Sequence, residues 1–270
     1  QPGIESFSNH VLKLMRKGVT GVQNIQLLKW SEEVGIAPAW NLLAGFPDES
    51  PAEYEQMAKL LALLMHLEPP TGCAPIRLDR FSPLFNQAEA VGLRRVRPTL
   101  AYYYVFPLGR RELARLAYFF DFDYADGRKV ESYLGPMHSA VAKWRNARFQ
   151  SDEKLRPRLD ATIQDGGAIH IVDTRECASS ADHWLSGIDA ELLLACDSAQ
   201  ARHTLRKKYG AAGDEALARL ISSRICVEME GQLLSLPVLR NRPAHMMETD
   251  FNAHRRIPAA ADTEPLLRIL

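Results

Sequence analysis

The sequence predicts an α/β fold, in which parallel strands alternate with helices, followed by a smaller unit of helices and hairpins. Two turns, at residues 3–6 and residues 45–49, each combine a glycine with a carboxylate, and each leads into a helix. They lie about one strand–helix–strand unit apart, for which roughly 30 residues are typical. Near residue 150 the pattern changes to short alternating segments and short helices, which indicates that a second unit begins there.

Composition and charge narrow the class of protein. Of the 270 residues, 46% are hydrophobic and 24% are charged, as in ordinary globular chains. The 33 basic residues balance the 33 acidic ones, so bulk electrostatics gives nucleic-acid binding no support. No apolar run approaches the roughly 18 residues of a membrane-spanning helix, and we expect no membrane partner. The four cysteines lie far apart, without CxxC or CxxxCxxC spacing, and favour a reducing, cytoplasmic location.

The first eighty residues carry clear signals for alternating helices and strands. Ser8 and Thr20 are good N-caps for two consecutive helices, and Ser50 with the proline after it predicts the start of a third. The nearly continuous apolar run at residues 36–43 is typical of a parallel strand that is covered on both faces. Residues 74–81 alternate in polarity and predict the next strand.

The pattern is less regular after this strand. Residues 82–97 are mixed and predict a loop, whereas the tyrosine-rich residues 99–106 predict a strand. Apolar periodicity predicts helices at residues 110–120 and at residues 136–149.

The second unit combines two hairpins with three short helices. The predicted hairpin strands are residues 158–164, 168–174, 225–229 and 232–238, and the predicted helices are residues 188–196, 199–209 and 215–224. Ser198 and Asp214 are the expected caps of the last two helices. Three helices that are followed by a hairpin form the order of elements found in a winged-helix module.

The strand-end motifs resemble a known enzyme family. The turn Gly-Ile-Glu-Ser-Phe-Ser at residues 3–8 is followed by Val-Leu-Lys-Leu-Met-Arg-Lys-Gly at residues 11–18, and the next strand ends in Gly-Phe-Pro-Asp-Glu at residues 45–49. This order resembles the fourth and fifth strand ends of radical S-adenosylmethionine (radical SAM) enzymes of the cobalamin-dependent branch. The run Pro-Ile-Arg-Leu-Asp-Arg-Phe-Ser-Pro at residues 75–83 is similar to the group that matures ribosomally made peptide natural products (RiPPs).

The resemblance implies an architecture of four parts. These are the C-terminal half of a partial TIM-like radical SAM barrel at residues 1–106, a helical extension at 107–150, a winged-helix-like α+β domain at 151–240 and a tail at 241–270. The specific motifs cover residues 1–106, and the resemblance beyond residue 150 is one of layout. Three parallel strands cannot close a barrel, so we expect an open sheet edge that a partner chain or self-association covers.

The resemblance also implies a function. The chain would be a fragment of an enzyme that modifies a peptide precursor, for example by methylating a carbon atom, with S-adenosylmethionine, a [4Fe–4S] cluster and cobalamin as cofactors. The CxxxCxxC motif that holds the cluster in this family is absent, and the chain begins within a predicted strand. We therefore expect the chain alone to be inactive, and to need the missing N-terminal part of the same protein as well as the peptide.

The implied cofactor site consists of six residues at the two strand ends: Glu5, Ser6, Asn41, Gly45, Phe46 and Pro47. Glu5 and Ser6 would face the ribose and methionine parts of S-adenosylmethionine, since carboxylates and hydroxyls exchange hydrogen bonds with sugar hydroxyls. The alternative for both is a cap on the following helix. Asn41, rather than Trp40, is the polar candidate for the barrel interior, and a structural hydrogen bond is its alternative. The glycine turn would allow the backbone to approach the adenine.

Arg77, Asp79 and Arg80 are the candidate substrate residues, and a buried Arg–Asp pair between strands is their alternative role. None of the eight histidines has a partner at metal-ligand spacing.

Two other functions remain open: a non-catalytic peptide-recognition or scaffold protein, and a winged-helix DNA-binding regulator. A basic run on one helix favours the regulator, whereas the acidic wing formed by Glu228 and Glu230 argues against it. The basic residues are Arg202, Arg206, Lys207 and Lys208.

Overall fold

The structure is a computed structural model, and it describes residues 1–242. The predicted tail at residues 241–270 therefore lies almost entirely outside the described residues. Residues 1–242 form a mixed α/β fold with several separate sheets, none of which closes into a barrel. Within the same range, no helix combines the length and the apolar content needed to cross a bilayer.

The first part of the chain alternates helices with parallel strands, as the sequence predicts, but the strand predicted at residues 36–43 is confined to Leu42–Ala44. Its elements are α1 (Asn9–Leu14), α2 (Gly21–Glu33), β1 (Leu42–Ala44), α3 (Pro51–Leu61) and β2 (Cys73–Pro75). β1 pairs in parallel with β2, and on its other side Leu42 forms a parallel bridge with Glu5. The predicted caps are confirmed, because Ser8, Thr20 and Ser50 are the N-caps of α1, α2 and α3.

The second part of the chain contains an antiparallel sheet. Its elements are β3 (Leu78–Asp79), α4 (Pro83–Asn86), β4 (Leu93–Pro98), α5 (Leu100–Val105), α6 (Arg110–Leu116), β5 (Phe119–Tyr124) and α7 (Gly135–Arg148). The strand order is β3-β5-β4, so the central strand comes last along the chain. The predicted helix at residues 136–149 is confirmed as α7.

Three predictions for this part are wrong. Residues 74–81 are not one strand, because β2 and β3 belong to different sheets. Residues 82–97 hold α4 and most of β4 instead of a loop. Residues 99–106 form α5 rather than a strand, since Tyr102 turns inward and its hydroxyl accepts a hydrogen bond from the Tyr118 amide at 2.9 Å. Here tertiary contacts outweigh the strand propensity of the tyrosines.

The third part contains both predicted hairpins. Its elements are β6 (Leu159–Ile163), β7 (Ile169–Asp173), β8 (Asp182–Leu185), α8 (Gly187–Ala195), β9 (Gln200–Ala201), α9 (Arg202–Ser222), β10 (Cys226–Met229), β11 (Gln232–Ser235) and β12 (Val238–Leu239). β12 pairs in parallel with β6 beside the first hairpin, and the second hairpin forms a sheet of order β10-β11-β9. α9 is broken at Gly210, where φ is 62° and ψ is −153°. Ser198 and Asp214 are not its caps, because α9 begins after Ala201 and Asp214 lies inside it.

One hydrophobic core crosses the predicted boundary near residue 150. Its buried side chains run from Ile4 to Leu239 and come from both sides of that boundary. Lys29 of α2 is fully buried, and its ammonium donates to Asp197 Oδ1 at 2.6 Å and to the Ser235 carbonyl at 2.9 Å. A buried ammonium requires such partners, so α2 is tied to the third part at this position.

Candidate functional site

The parallel strands present two different faces. Trp40 lies on the covered face, where its ring packs edge-on against Phe7 and Trp144. Asn41, the residue immediately before β1, is exposed on the open side of the chain. A depression of about 300 Å³ lies there, lined by Gln1, Pro2, Gly3, Glu5, Trp40, Asn41 and Leu43. The structure therefore brings Glu5 and Asn41 together at one concave surface.

Glu5 occupies an unusual backbone conformation at the end of the first extended segment. Its φ is 57°, which few residues other than glycine adopt, and the Ser6 amide donates to the Ile4 carbonyl across it at 2.7 Å. Its carboxylate pairs with Lys17 Nζ at 2.8 Å, and both side chains keep more than a quarter of their surface exposed. Backbone conformations of this kind are concentrated at functional sites. The ion pair holds the Glu5 carboxylate at the rim of the depression.

Gly3 leaves room for this ion pair. A Cβ at this position would lie 2.7 Å from Lys17 Nζ, so the ammonium rests directly against the glycine. The sequence analysis did not include Lys17 in the site. Its signals in the sequence are its place in the motif at residues 11–18 and its position at the end of the predicted helix that follows the Glu5 turn.

Ser6 does not reach the open face. It is fully buried, its hydroxyl donates to the Met57 sulfur at 3.4 Å, and its oxygen accepts from the Ser8 amide at 3.1 Å. These contacts place Ser6 between the strand end and α3. Its role here is structural, at the entry to α1.

The loop after β1 is organised around the carboxylate of Glu49. This side chain is 5% exposed and accepts hydrogen bonds from the amides of Gly45 at 2.7 Å and Phe46 at 2.9 Å. It also accepts from the hydroxyls of Tyr54, at 2.7 Å, and Tyr133. Burial first, and then the Glu49 carboxylate, raise the pKa of both tyrosines, so both hydroxyls remain protonated donors.

The predicted cofactor residues of this loop face this chain rather than open space. A Cβ on Gly45 would lie 2.4 Å from the Tyr124 hydroxyl oxygen, and that hydroxyl donates to the Gly45 carbonyl at 2.6 Å. Phe46 is 8% exposed and packs with Val11, while Pro47 is half-buried. The close backbone approach that the glycine permits is thus made by Tyr124. Tyr124 and Tyr133 lie far along the sequence from the loop, and no local signal could have identified them.

The three predicted substrate residues belong to the β3-β5-β4 region instead of the parallel strands. Arg77 and Asp79 form a two-point ion pair, with Nε–Oδ1 at 2.6 Å and Nη2–Oδ2 at 2.9 Å. The Arg77 guanidinium also lies 4.3 Å from the centre of the Phe119 ring, and 63% of the Arg77 side chain is exposed. Arg80 instead donates to the Ala117 carbonyl at 2.6 Å and so holds the end of α6.

Two of the four basic residues at the start of α9 are paired with carboxylates. Arg202 pairs with Glu228 Oε2 at 2.5 Å, and Arg206 pairs with Asp214 at 3.3 Å. A helix that binds DNA phosphates needs free positive charge. These pairs therefore give the regulator hypothesis no support.

Within residues 1–242, no three His, Cys, Asp or Glu side chains are grouped closely enough to hold a metal ion. The chain matches no protein-family model, no curated protein and no solved structure in three separate comparisons.

Proposed function

We propose that this chain is part of a cobalamin-dependent radical SAM enzyme that modifies a ribosomally made peptide in the cytoplasm, for example by C-methylation. The observation that carries the proposal is the position of Glu5. A carboxylate in a left-handed turn at the end of a parallel strand, beside a depression, is suited to a ligand with hydroxyl groups. This position agrees with the role that the resemblance implies for Glu5.

The residues of the open face fit the ribose part of S-adenosylmethionine. The depression of about 300 Å³ lies at the lower end of the 300–1,000 Å³ that ligand pockets occupy. Glu5 would accept from the sugar hydroxyls, Asn41 would accept or donate, and Lys17 would hold the Glu5 carboxylate in position. S-adenosylmethionine supplies a methyl group or a carbon radical when it is bound.

The described residues offer no set of ligands that fits the [4Fe–4S] cluster. Residues 1–242 hold no group of three metal ligands, and the sequence has no CxxxCxxC motif. In this proposal the ligands of both groups lie outside residues 1–242, and this chain alone is inactive. We derive no reaction step through either group.

Two features of the chain support the finer architecture. A partial TIM-like barrel accounts for the parallel strands at Glu5, β1 and β2, whose uncovered face would be its interior. A winged-helix-like domain accounts for the succession α8, β9, the broken helix α9, β10 and β11, with sheet order β10-β11-β9. In this architecture the helices α6 and α7 belong to the extension at residues 107–150, whereas β5 between them pairs with β3 and β4 of the preceding part.

The proposal predicts that Glu5 contributes to binding S-adenosylmethionine. In a calorimetric titration of the full chain, Glu5→Gln should weaken binding about tenfold or more, because a charged hydrogen-bond acceptor is lost. Glu55→Gln makes the same change at an exposed position on α3 and should leave the affinity unchanged. Equal affinity in wild type and Glu5→Gln, or no binding by the wild-type chain, contradicts the proposal and favours the scaffold alternative.

A further inference from the structure

The surface formed by α5 and α6 is rich in exposed apolar side chains. Half of the exposed large hydrophobic residues in the described part of the chain fall between residues 100 and 118. Among them, Tyr104 is 82% exposed, Val105 68% and Leu100 61%. Concentrated apolar exposure of this kind marks an interaction site more often than it marks an ordinary surface. We call the surface of Leu100–Val105 and Arg110–Leu116 the α5–α6 face.

The α5–α6 face is also positively charged. Arg110, Arg111 and Arg115 of α6 are exposed, and no side-chain partner for them occurs within residues 1–242. The one acidic residue of α6, Glu112, is engaged with the Gly109 amide at 2.9 Å. An apolar surface with three free guanidinium groups is complementary to an acidic partner that also carries apolar side chains.

A cavity of about 460 Å³ opens within this face. It is lined by Arg97, Pro98, Leu100, Tyr103, Arg110 and Asp121. Its lining combines the Tyr103 ring and aliphatic carbon with the guanidinium groups of Arg97 and Arg110 and the single carboxylate of Asp121. A concave site of this size accepts a large side chain from a partner, which a flat lipid surface does not provide.

The α5–α6 face is firmly attached to the fold. Leu113 and Ala117 are fully buried beneath it, and Arg80 holds the end of α6 through the Ala117 carbonyl. The Tyr102 hydroxyl joins α5 to the Tyr118 amide at 2.9 Å. The face is therefore preformed, and a ligand does not need to order it.

We propose that the α5–α6 face binds an acidic peptide segment with a large apolar side chain. The apolar side chain enters the cavity beside Tyr103, and the flanking carboxylates pair with Arg110, Arg111 and Arg115. This inference rests on the proposed function, because it takes the segment to be part of the peptide substrate. It places recognition of the substrate on the β3-β5-β4 side of the molecule, apart from the Glu5 depression.

Fluorescence anisotropy with two labelled synthetic peptides tests the inference on the full chain. One peptide carries phenylalanine among glutamates, and the other carries phenylalanine among lysines. The acidic peptide should bind, and Arg111→Glu and Tyr103→Ala should each raise its Kd about tenfold or more, as expected for a charged contact and an aromatic anchor. Lys207→Glu makes a comparable charge change on an exposed part of α9 and should leave the Kd unchanged.

Four results would overturn the inference. They are equal binding of the two peptides, binding that neither variant weakens, preference for phosphatidylserine vesicles over the acidic peptide, and a dimer in light scattering that the two variants dissociate. Circular dichroism confirms that each variant is folded. The Glu5→Gln variant separates this inference from the proposed function, since it should lose affinity for S-adenosylmethionine and keep affinity for the acidic peptide.

Discussion

At the scale of single residues, Gly45 is the position where the loop after β1 tolerates least change. Its φ is 92°, a region that glycine adopts without a steric cost. The Tyr124 hydroxyl occupies the space that a Cβ would need. The glycine of this motif is thus required by packing within the chain, in addition to any contact with a ligand.

Gly45→Ala should lower the free energy of unfolding by about 2–5 kcal/mol, because it combines an unfavourable φ with overpacking. Gly166→Ala is the matched control: its φ is 80°, but nothing lies within 4 Å of the added Cβ. The control should lose only about 1–2 kcal/mol. Urea denaturation measures both, and equal losses would show that the contact with Tyr124 does not matter.

His66 is a second residue whose effect on stability can be measured. It is 2% exposed, and its Nε2 lies 3.0 Å from the Leu236 carbonyl. Burial, and then the positive charge of Arg175, lower the pKa of His66 well below its usual value. The folded state therefore keeps His66 neutral, whereas the unfolded chain takes up a proton near pH 6.5.

The stability that neutral His66 contributes should be complete above about pH 6.5 and should fall, by up to about 1.4 kcal/mol per pH unit, as the pH is lowered towards its folded pKa. Urea denaturation at pH 7 and pH 5 measures this loss. The His66→Gln variant has no titratable side chain at this position, so its free energy of unfolding should fall less between these two pH values than that of wild type. The exposed His203→Gln should behave like wild type. If the stability of His66→Gln depended on pH as strongly as that of wild type, His66 would not be the group responsible for this loss.

At the scale of elements, the sequence predicted what is encoded locally. The caps at Ser8, Thr20 and Ser50 and both hairpins follow from neighbouring residues, and they are confirmed. α5 was missed because the hydrogen bond that holds Tyr102 comes from a strand that follows later in the chain. The break between β2 and β3 was missed for a similar reason, since each strand pairs with a different partner.

The same distinction between local and distant contacts applies to the candidate site. Alternation along a strand separated Trp40 from Asn41, and polarity then selected Asn41 as the candidate for the open face; both properties are local. The surroundings of Glu49 depend in part on Tyr133, which lies 84 residues further along the chain, and no pattern in residues 45–49 indicates it. A motif thus locates a candidate loop more readily than it shows which residues of the loop are available to contact a ligand.

At the scale of the whole molecule, a buried charge network joins the two sides of residue 150. Asp197 accepts from Lys29 at 2.6 Å and pairs with Arg242, which also donates to Glu33 Oε2 at 3.0 Å. Burial raises the pKa of Asp197, but the charges of Lys29 and Arg242 outweigh it, so the pKa is lowered. The carboxylate is therefore ionised at neutral pH and balances cations on both sides.

Asp197→Asn should destabilise both halves together, because it leaves the Lys29 ammonium buried without a counter-charge. We expect a loss of about 3–5 kcal/mol in the free energy of unfolding. The control is Asp189→Asn, which removes a surface pair with Arg219 and should cost less than about 1 kcal/mol.

Hydrogen exchange tests whether this network unites the molecule. In Asp197→Asn, the amides of α2 and of β11 should lose protection by similar factors, since the Lys29 ammonium of α2 contacts both the Asp197 carboxylate and the Ser235 carbonyl of β11. The wild-type chain should then unfold in one transition, as expected for a core shared across residue 150. Loss of protection confined to β11 would show that the two sides are independent units that merely touch at Asp197.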